Sequence, residues 1–171
     1  MTINNIDTEI QAVFDGVILS LNNIDDNILN EIPFEHSWTI GQVADHIVLC
    51  SKSILDDQIA ETDRPYDENV AELKNIFLNM EQKTEAAPRV YPGLPPHNKS
   101  ALIKHLEKNK TNLLKMTAEK DLTALSLDIE FPFMGYFTRY EWLVFICVHT
   151  RRHLNQINNI KRRLNTSADV L

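Results

Sequence analysis

Residues 138–164 read TRYEWLVFICVHTRRHLNQINNIKRRL, and they decide the predicted fold more than any other stretch. Apolar and histidine side chains recur there at the three- and four-residue spacing of one helix face. Thr138 and Glu141 have the spacing of a capping box, which marks the start of a helix. We therefore predict a long amphipathic helix whose inward stripe consists of Trp142, Ile146, His149, His153, Ile157, Ile160 and Leu164.

The rest of the chain predicts three further long helices. The first covers about residues 6–21, where apolar side chains keep the helical period. The second begins at Thr39, which has capping-box spacing to Gln42, and the third begins near Asn98. Four long amphipathic helices predict an all-α fold, a four-helix bundle.

A long crossover is expected between helices two and three. A short helical pattern covers residues 70–80, but a continuous helix beyond it is excluded by Pro88, Pro92, Pro95 and Pro96. Residues 81–97 are therefore predicted to form an extended strap over the surface. A second proline-containing segment, with Pro132 and Gly135, is predicted to be a loop that leads into helix four.

Composition limits the domain organisation and the partners. A chain of 171 residues with 43% hydrophobic and 24% charged residues fits one domain that spans residues 1–171. Seventeen basic against 24 acidic residues give a net charge of −7, which disfavours nucleic acid as a partner. Neither a membrane span nor a secretory signal is apparent, so we expect a cytoplasmic protein without a membrane partner.

Two histidines of the last helix are the strongest functional signal. His149 and His153 are four residues apart on the inward stripe, so their Cα atoms lie about 6 Å apart on one helix face. Both rings can then bind one metal ion, as the i, i+4 pair of a zincin helix does, although Thr150 stands where a zincin has glutamate. In an apolar interior, the four ring nitrogens of two imidazoles need partners.

His46 is the third candidate ligand. It lies on the inward stripe of helix two, between Val43 and Cys50, and facing helices of a bundle can bring it to the pair. Three neutral imidazoles with open water positions form a catalytic type of site, for zinc or nickel first and manganese or iron second. The competing interpretation of a single histidine is an ordinary core or surface residue. His36, His97 and His105 lie in loops or on polar faces, and for these three a solvated surface position is favoured.

Three further residues share these helix faces. Gln42 precedes His46 by four positions and Gln156 follows His153 by three, so both are candidates to orient a ring or to bind an incoming ligand. Cys50 follows His46 by four positions and is either a fourth ligand or a small core residue. Its apolar surroundings favour the core interpretation.

Two segments resemble a known family. They are residues 37–47, SWTIGQVADHI, and residues 131–157, FPFMGYFTRYEWLVFICVHTRRHLNQI. Together they resemble the DinB/YfiT-like family. The shared features are a tryptophan before helix two, a histidine within helix two, a P-x-x-G…T-x-x-E-W pattern at the start of helix four, and the pattern H-x-x-x-H-x-x-Q within helix four. The resemblance implies a four-helix bundle in which a divalent metal ion is bound by His46, His149 and His153.

The resemblance also supplies the leading hypothesis for function. Some relatives are thiol-dependent S-transferases or isomerases that use bacillithiol, mycothiol or glutathione. We therefore expect a metal-dependent enzyme that activates a small-molecule thiol for attack on a small electrophile. A metal-dependent hydrolase and a non-catalytic metal-binding bundle are the alternatives. Related bundles are often homodimers, and Leu143 and Val144 give helix four a second apolar face that another copy could cover.

Overall fold

The computed structural model describes residues 2–52, 54, 56–81 and 86–168. These residues form a mainly helical protein with one small sheet. The helices are α1 (Ile6–Asn22), α2 (Asp26–Leu29), α3 (Ile40–Ser51), α4 (Val70–Leu78), α5 (Lys99–Glu119) and α6 (Arg139–Ala168). The strands are β1 (Ile59–Ala60), β2 (Leu125–Phe131) and β3 (Gly135–Thr138).

The last helix is the centre of the packing. α6 packs against α1, α3 and α4, while α5 packs against α1 and α3. Neighbours on several sides bury both apolar faces of α6, so that Leu143 and Val144 are 0% exposed within a single chain. The second apolar face of α6 is therefore already covered within one chain and is not free to bind another copy. The homodimer stays a prediction that this face does not support.

Three helices begin at the capping residues that the sequence predicts. The Thr39 hydroxyl accepts a hydrogen bond from the backbone N–H of Gln42 at 3.1 Å, and the Asn98 side chain caps the first turn of α5. At the start of α6, the Glu141 N–H donates to the Thr138 hydroxyl at 3.2 Å. Each cap satisfies a backbone N–H that has no partner inside the helix, which fixes the helix start.

The sheet corrects the prediction that the protein is all-α. The strands pair antiparallel in the order β1-β2-β3, and the segment predicted as a loop is a β-hairpin that turns between β2 and β3. Gly135 has φ +74° beside this turn, a backbone conformation that glycine adopts without strain. Phe131 stacks on Phe137 with 4.6 Å between ring centroids, so the hairpin attaches to the core beside α6.

The long crossover between α3 and α5 is confirmed, but it has internal structure. It contains β1, α4 and a 3-10 turn at Pro88–Val90; residues 82–85 of the predicted strap lie outside the described residues. Two backbone N–H groups of the strap donate to side chains outside it. That of Gly93 donates to Asp45 of α3 at 2.8 Å, and that of His97 donates to Asn30, the residue after α2, at 2.7 Å.

His97 corrects a second expectation. Its side chain is only 10% exposed and lies 3.4 Å from the Asp45 carboxylate, so it is not the solvated histidine that its loop position predicted. The side chain of His36 is 90% exposed, as expected. His105 is also exposed, on α5.

Candidate metal centre

The three predicted histidines meet where α3 faces α6. The Nε2 atom of His46 lies 3.3 Å from that of His149, and the Nε2 atom of His153 lies 3.1 Å from that of His149. The rings of His46 and His153 are also in contact, with centroids 4.8 Å apart. The helical face supplies the His149–His153 pair, and the contact between α3 and α6 supplies His46. The structure thus brings all three together, with His149 in the middle.

The two outer rings have a defined tautomer. The Nδ1–H of His46 donates to the Val90 carbonyl at 2.7 Å, and the Nδ1–H of His153 donates to Oε1 of Gln156 at 2.8 Å. A neutral imidazole carries one N–H, so in both rings Nε2 presents a lone pair to His149. A hydrogen bond to the distal nitrogen is also how proteins orient histidines that bind metals.

These tautomers leave the cluster short of one proton donor. Nε2 of the neutral His149 ring can donate a hydrogen bond to one of its two neighbours at most. In the other contact, two Nε2 lone pairs then face each other with no hydrogen between them. Unpaired lone pairs in a buried place are costly. A cation between the three nitrogens would satisfy all of them at once.

Burial keeps the rings neutral. Desolvation lowers the pKa of His46 below its ordinary value, although the hydrogen bond with Val90 opposes the shift. The pKa of His149 is lowered well below its ordinary value, first by desolvation and then by the neighbouring histidines. Desolvation also lowers the pKa of His153 to about 4. Neutral imidazole is the form that binds a metal ion.

A cysteine stands in the same cluster. The ligand atoms of His46, Cys50 and His149 all lie within 4.8 Å of one another, and such a His-Cys-His group could hold a metal ion. The Cys50 sulfur is 3.5 Å from Nε2 of His46. Sequence reasoning favoured a core role for this cysteine because its neighbours in the chain are apolar, yet the side chain is only half-buried.

The two glutamines have different places. Gln156 contacts His153 as its spacing predicted. The Gln42 side chain instead completes the capping box by accepting from the Thr39 N–H at 3.1 Å, and it donates to the Gly93 carbonyl at 3.4 Å. Gln42 therefore holds the start of α3 and the strap, while the residue that orients His46 is Val90, which acts through its backbone carbonyl.

An open cleft of about 2090 Å³ leads to these side chains. Aromatic side chains line the cleft beside the histidines: Phe145 and Phe77 lie against the His149 ring, with centroids 5.2 and 5.8 Å away, and Trp38 lies 5.2 Å from His46. The cleft is lined by Cys50 and by all three histidines. The nitrogen donors are thus buried on one side and reachable from solvent on the other.

Comparison with known proteins assigns the chain to a family. Residues 10–157 match the DinB superfamily, which is most of the chain. The chain belongs to the DinB superfamily. The match includes His46, His149 and His153, so the candidate metal centre lies within the family domain.

Relatives of this DinB superfamily chain do not assign an activity. It is similar to a Bacillus subtilis (strain 168) protein described as "Uncharacterized protein YuaE", with 23% identity over 147 residues that cover 84% of this chain and 90% of the relative. No solved structure matches the chain significantly. None of the helices that the structure describes is both long and apolar enough to cross a membrane.

Proposed function

We propose that this DinB superfamily chain is a divalent-metal-dependent enzyme of the S-transferase type, in which His46, His149 and His153 hold the metal ion. The observation that carries the proposal is the convergence of three neutral Nε2 atoms, 3.3 and 3.1 Å apart, at a cleft open to solvent. Nitrogen ligands at about 2.0–2.1 Å from a tetrahedral ion stand about 3.3 Å apart, so the donor set fits zinc or a similar ion.

The contacts around the three histidines indicate what the metal ion and the neighbouring residues would each contribute. The metal ion, when bound, supplies a positive charge that stabilises the thiolate form of a bound thiol at neutral pH. Val90 and Gln156 hold the outer rings so that Nε2 faces the ion. Histidine ligands suit zinc and nickel, with manganese and iron as alternatives.

The cleft suits two small reactants. Its volume of about 2090 Å³ exceeds the roughly 300–1,000 Å³ of a pocket for one drug-sized ligand. Trp142 lies in the cleft wall, and its buried indole N–H has no acceptor among the described residues. Arg89 adds a positive charge among the lining residues. These features favour an apolar electrophile together with a thiol that carries acceptor groups.

The finer architecture is part of the proposal. We assign α1, α3, α5 and α6 as the four helices of the family bundle, because they are the four long helices and α6 and α5 each pack against both α1 and α3. The β-hairpin and α4 are then additions that cover one side of α6. A homodimer is the expected assembly.

An assay of thiol loss tests the proposed function. Protein stripped with a chelator and the same protein reloaded with zinc, nickel, manganese or iron are mixed with a panel of low-molecular-weight thiols and electrophiles. We expect metal-dependent loss of the free thiol and formation of the thioether. Equal thiol loss in stripped and reloaded protein would contradict the proposal, whereas metal-dependent cleavage of ester or amide substrates alone would favour the hydrolase.

A further inference from the structure

We propose that Gly41 and Asp45 of α3 are positioning residues for the metal centre, which act on His46 through the strap. The inference deepens the proposed function and rests on it, because it takes His46 as a metal ligand. It explains what keeps the Val90 carbonyl at the place where the His46 ring needs it.

The strap has little apolar attachment of its own beyond Val90. Among the described residues 91–96, Pro92 alone is buried, and Leu94 is 89% exposed. The Tyr91 ring contacts Trp38 edge-on, with centroids 5.5 Å apart, but Tyr91 is 60% exposed. A segment with so few buried apolar groups opens readily unless other contacts hold it. Contacts with α3 therefore decide where this part of the strap lies.

The Asp45 carboxylate makes the first of these contacts. Its Oδ2 atom accepts a hydrogen bond from the Gly93 N–H at 2.8 Å and lies 3.4 Å from Nε2 of His97. One oxygen of α3 thus contacts the strap at two residues. Gln42 also donates to the Gly93 carbonyl, but at 3.4 Å this bond is long and holds the strap weakly.

Gly41 makes the second contact, because His97 packs directly against it. A Cβ atom at position 41 would stand 2.9 Å from Cβ of His97 and 3.2 Å from its Cγ and Nδ1 atoms. A Cβ atom cannot move without its backbone, so an alanine at position 41 would displace the strap itself. Gly41→Ala therefore shifts the strap while every polar group and charge of the chain is kept.

The short segment from Gly93 back to Val90 passes such a shift to His46. Pro92 lies between them, and proline fixes its own φ angle and restricts the residue before it, here Tyr91. The Val90 carbonyl accepts from the Nδ1–H of His46 at 2.7 Å. Without this acceptor, the ring proton is free to move to Nε2, the atom that faces the metal site, and a protonated Nε2 cannot bind a metal ion.

The tautomer of His46 in metal-free protein tests the inference. Protein with ¹⁵N-labelled histidine is examined by NMR near neutral pH, where the ring nitrogen shifts report the tautomer, and zinc affinity is measured by competition with a chromophoric chelator. The variants are Gly41→Ala, Asp45→Ala and Asp45→Asn, with folding checked by circular dichroism. Gly16→Ala is the matched control, because a Cβ atom there would meet the flexible end of Leu154, also at 2.9 Å, and not the strap.

We expect the Nδ1–H tautomer of His46 in wild type, Gly16→Ala and Asp45→Asn. In Gly41→Ala and Asp45→Ala, the His46 shifts should move toward a mixture of the two tautomers, and zinc affinity should fall about tenfold, since residues that orient ligands contribute 10–100-fold. His153 should keep its Nδ1–H tautomer throughout, because Gln156 holds it.

Asp45→Asn separates the contact from the charge of Asp45. Burial lowers the pKa of His46, and the negative charge of Asp45 opposes this shift. The asparagine side chain lacks the charge but keeps an oxygen that accepts from the Gly93 N–H. An Asp45→Asn variant that loses as much zinc affinity as Asp45→Ala would assign the effect to the charge and overturn the positioning role.

The remaining outcomes separate this inference from the proposed function. Gly41→Ala and Asp45→Ala variants that melt at a lower temperature but keep the Nδ1–H tautomer of His46 would show a purely structural role and overturn the inference. Wild-type protein that binds no zinc would overturn the proposed metal centre. The tautomer of His46 in metal-free protein would still decide whether the strap positions this ring.

Discussion

Glu141 is predicted to be the residue whose loss most weakens the start of α6. Its side chain is 0% exposed and accepts hydrogen bonds from both terminal nitrogens of Arg64, at 2.9 and 2.6 Å. It also accepts from the backbone N–H of Asn69 at 2.7 Å and of Thr138 at 2.9 Å. One carboxylate thus ties the segment before α4 to the hairpin and to the first turn of α6.

The loss in the free energy of unfolding follows from the hydrogen-bond donors that the substitution leaves without an acceptor. In Glu141→Ala, two backbone N–H groups lose their acceptor. The Arg64 guanidinium loses its buried carboxylate partner but keeps the Tyr136 and Pro65 carbonyls and the Glu68 carboxylate. Each buried unsatisfied donor costs about 1–3 kcal/mol, and removing one partner of a buried ion pair costs about 3–5 kcal/mol. Because the Arg64 side chain is 21% exposed, water replaces part of the loss. We expect the free energy of unfolding to fall by about 3–5 kcal/mol.

Chemical and thermal denaturation measure this loss. For a chain of this length, each kcal/mol lowers Tm by about 2–4 °C, so Glu141→Ala should melt roughly 6–20 °C below wild type. Glu119→Ala is the matched control, because its carboxylate is 58% exposed and its ion pair with Lys115 has a long 3.8 Å distance. It should change the unfolding free energy by less than about 0.5 kcal/mol. A Glu141→Ala variant as stable as Glu119→Ala would refute the reasoning.

Two further predictions concern acid stability and the ligand shell. Burial alone would raise the pKa of Asp56, but the hydrogen bonds and charges of Arg139 and Lys120 lower it below its ordinary value. The stabilisation is therefore present above the ordinary pKa of about 3.9 and is lost as pH falls through the lower folded-state pKa. Asp56→Asn should be less stable than wild type at pH 7, and the difference between the two denaturation midpoints should disappear as the pH is lowered to 2. A difference in midpoint that does not change with pH would contradict this. In metal titrations, Gln156→Ala should weaken zinc binding by about 10–100-fold because His153 loses its hydrogen-bond acceptor. Gln42→Ala should lower thermal stability with unchanged zinc affinity, and the reverse pattern would contradict the roles assigned to the two glutamines.

Local signals in the sequence predicted the helices well. The bounds of α1 and the caps at Thr39, Asn98 and Thr138 depend on residues within one or two turns of each other, which single-sequence patterns record. The His149–His153 pair is likewise a local feature of one helix face. His46 could be added because its inward position on α3 was visible in the same periodicity.

The sheet had a local signal that proline and glycine obscured. Residues 125–131, LSLDIEF, alternate apolar and polar side chains, which is the period of a half-buried strand. Pro132 and Gly135 predict a loop, but here Pro132 lies in the turn of a hairpin and Gly135 begins its second strand. A test for period two beside the test for the helical period would have found β2.

Other features have no local signature. The Arg64–Glu141 contact joins residues 77 positions apart, and only the fold brings them together. The hydrogen bond that orients His46 comes from the backbone carbonyl of Val90, and any residue type could supply it. Gln42 had the right spacing for His46, but the cap beside it was a closer partner for its side chain.

Metal content measured on purified protein tests the central claim most directly. Protein prepared without chelator is analysed for bound metals, with a His149→Ala/His153→Ala double variant and a His36→Ala/His105→Ala double variant that loses the same number of histidines from exposed positions. We expect about one divalent ion per chain in wild type and in the exposed-histidine variant, and less than about a tenth of that in His149→Ala/His153→Ala. Full metal content in His149→Ala/His153→Ala, or wild-type protein that binds no divalent ion when zinc is supplied, would contradict the account.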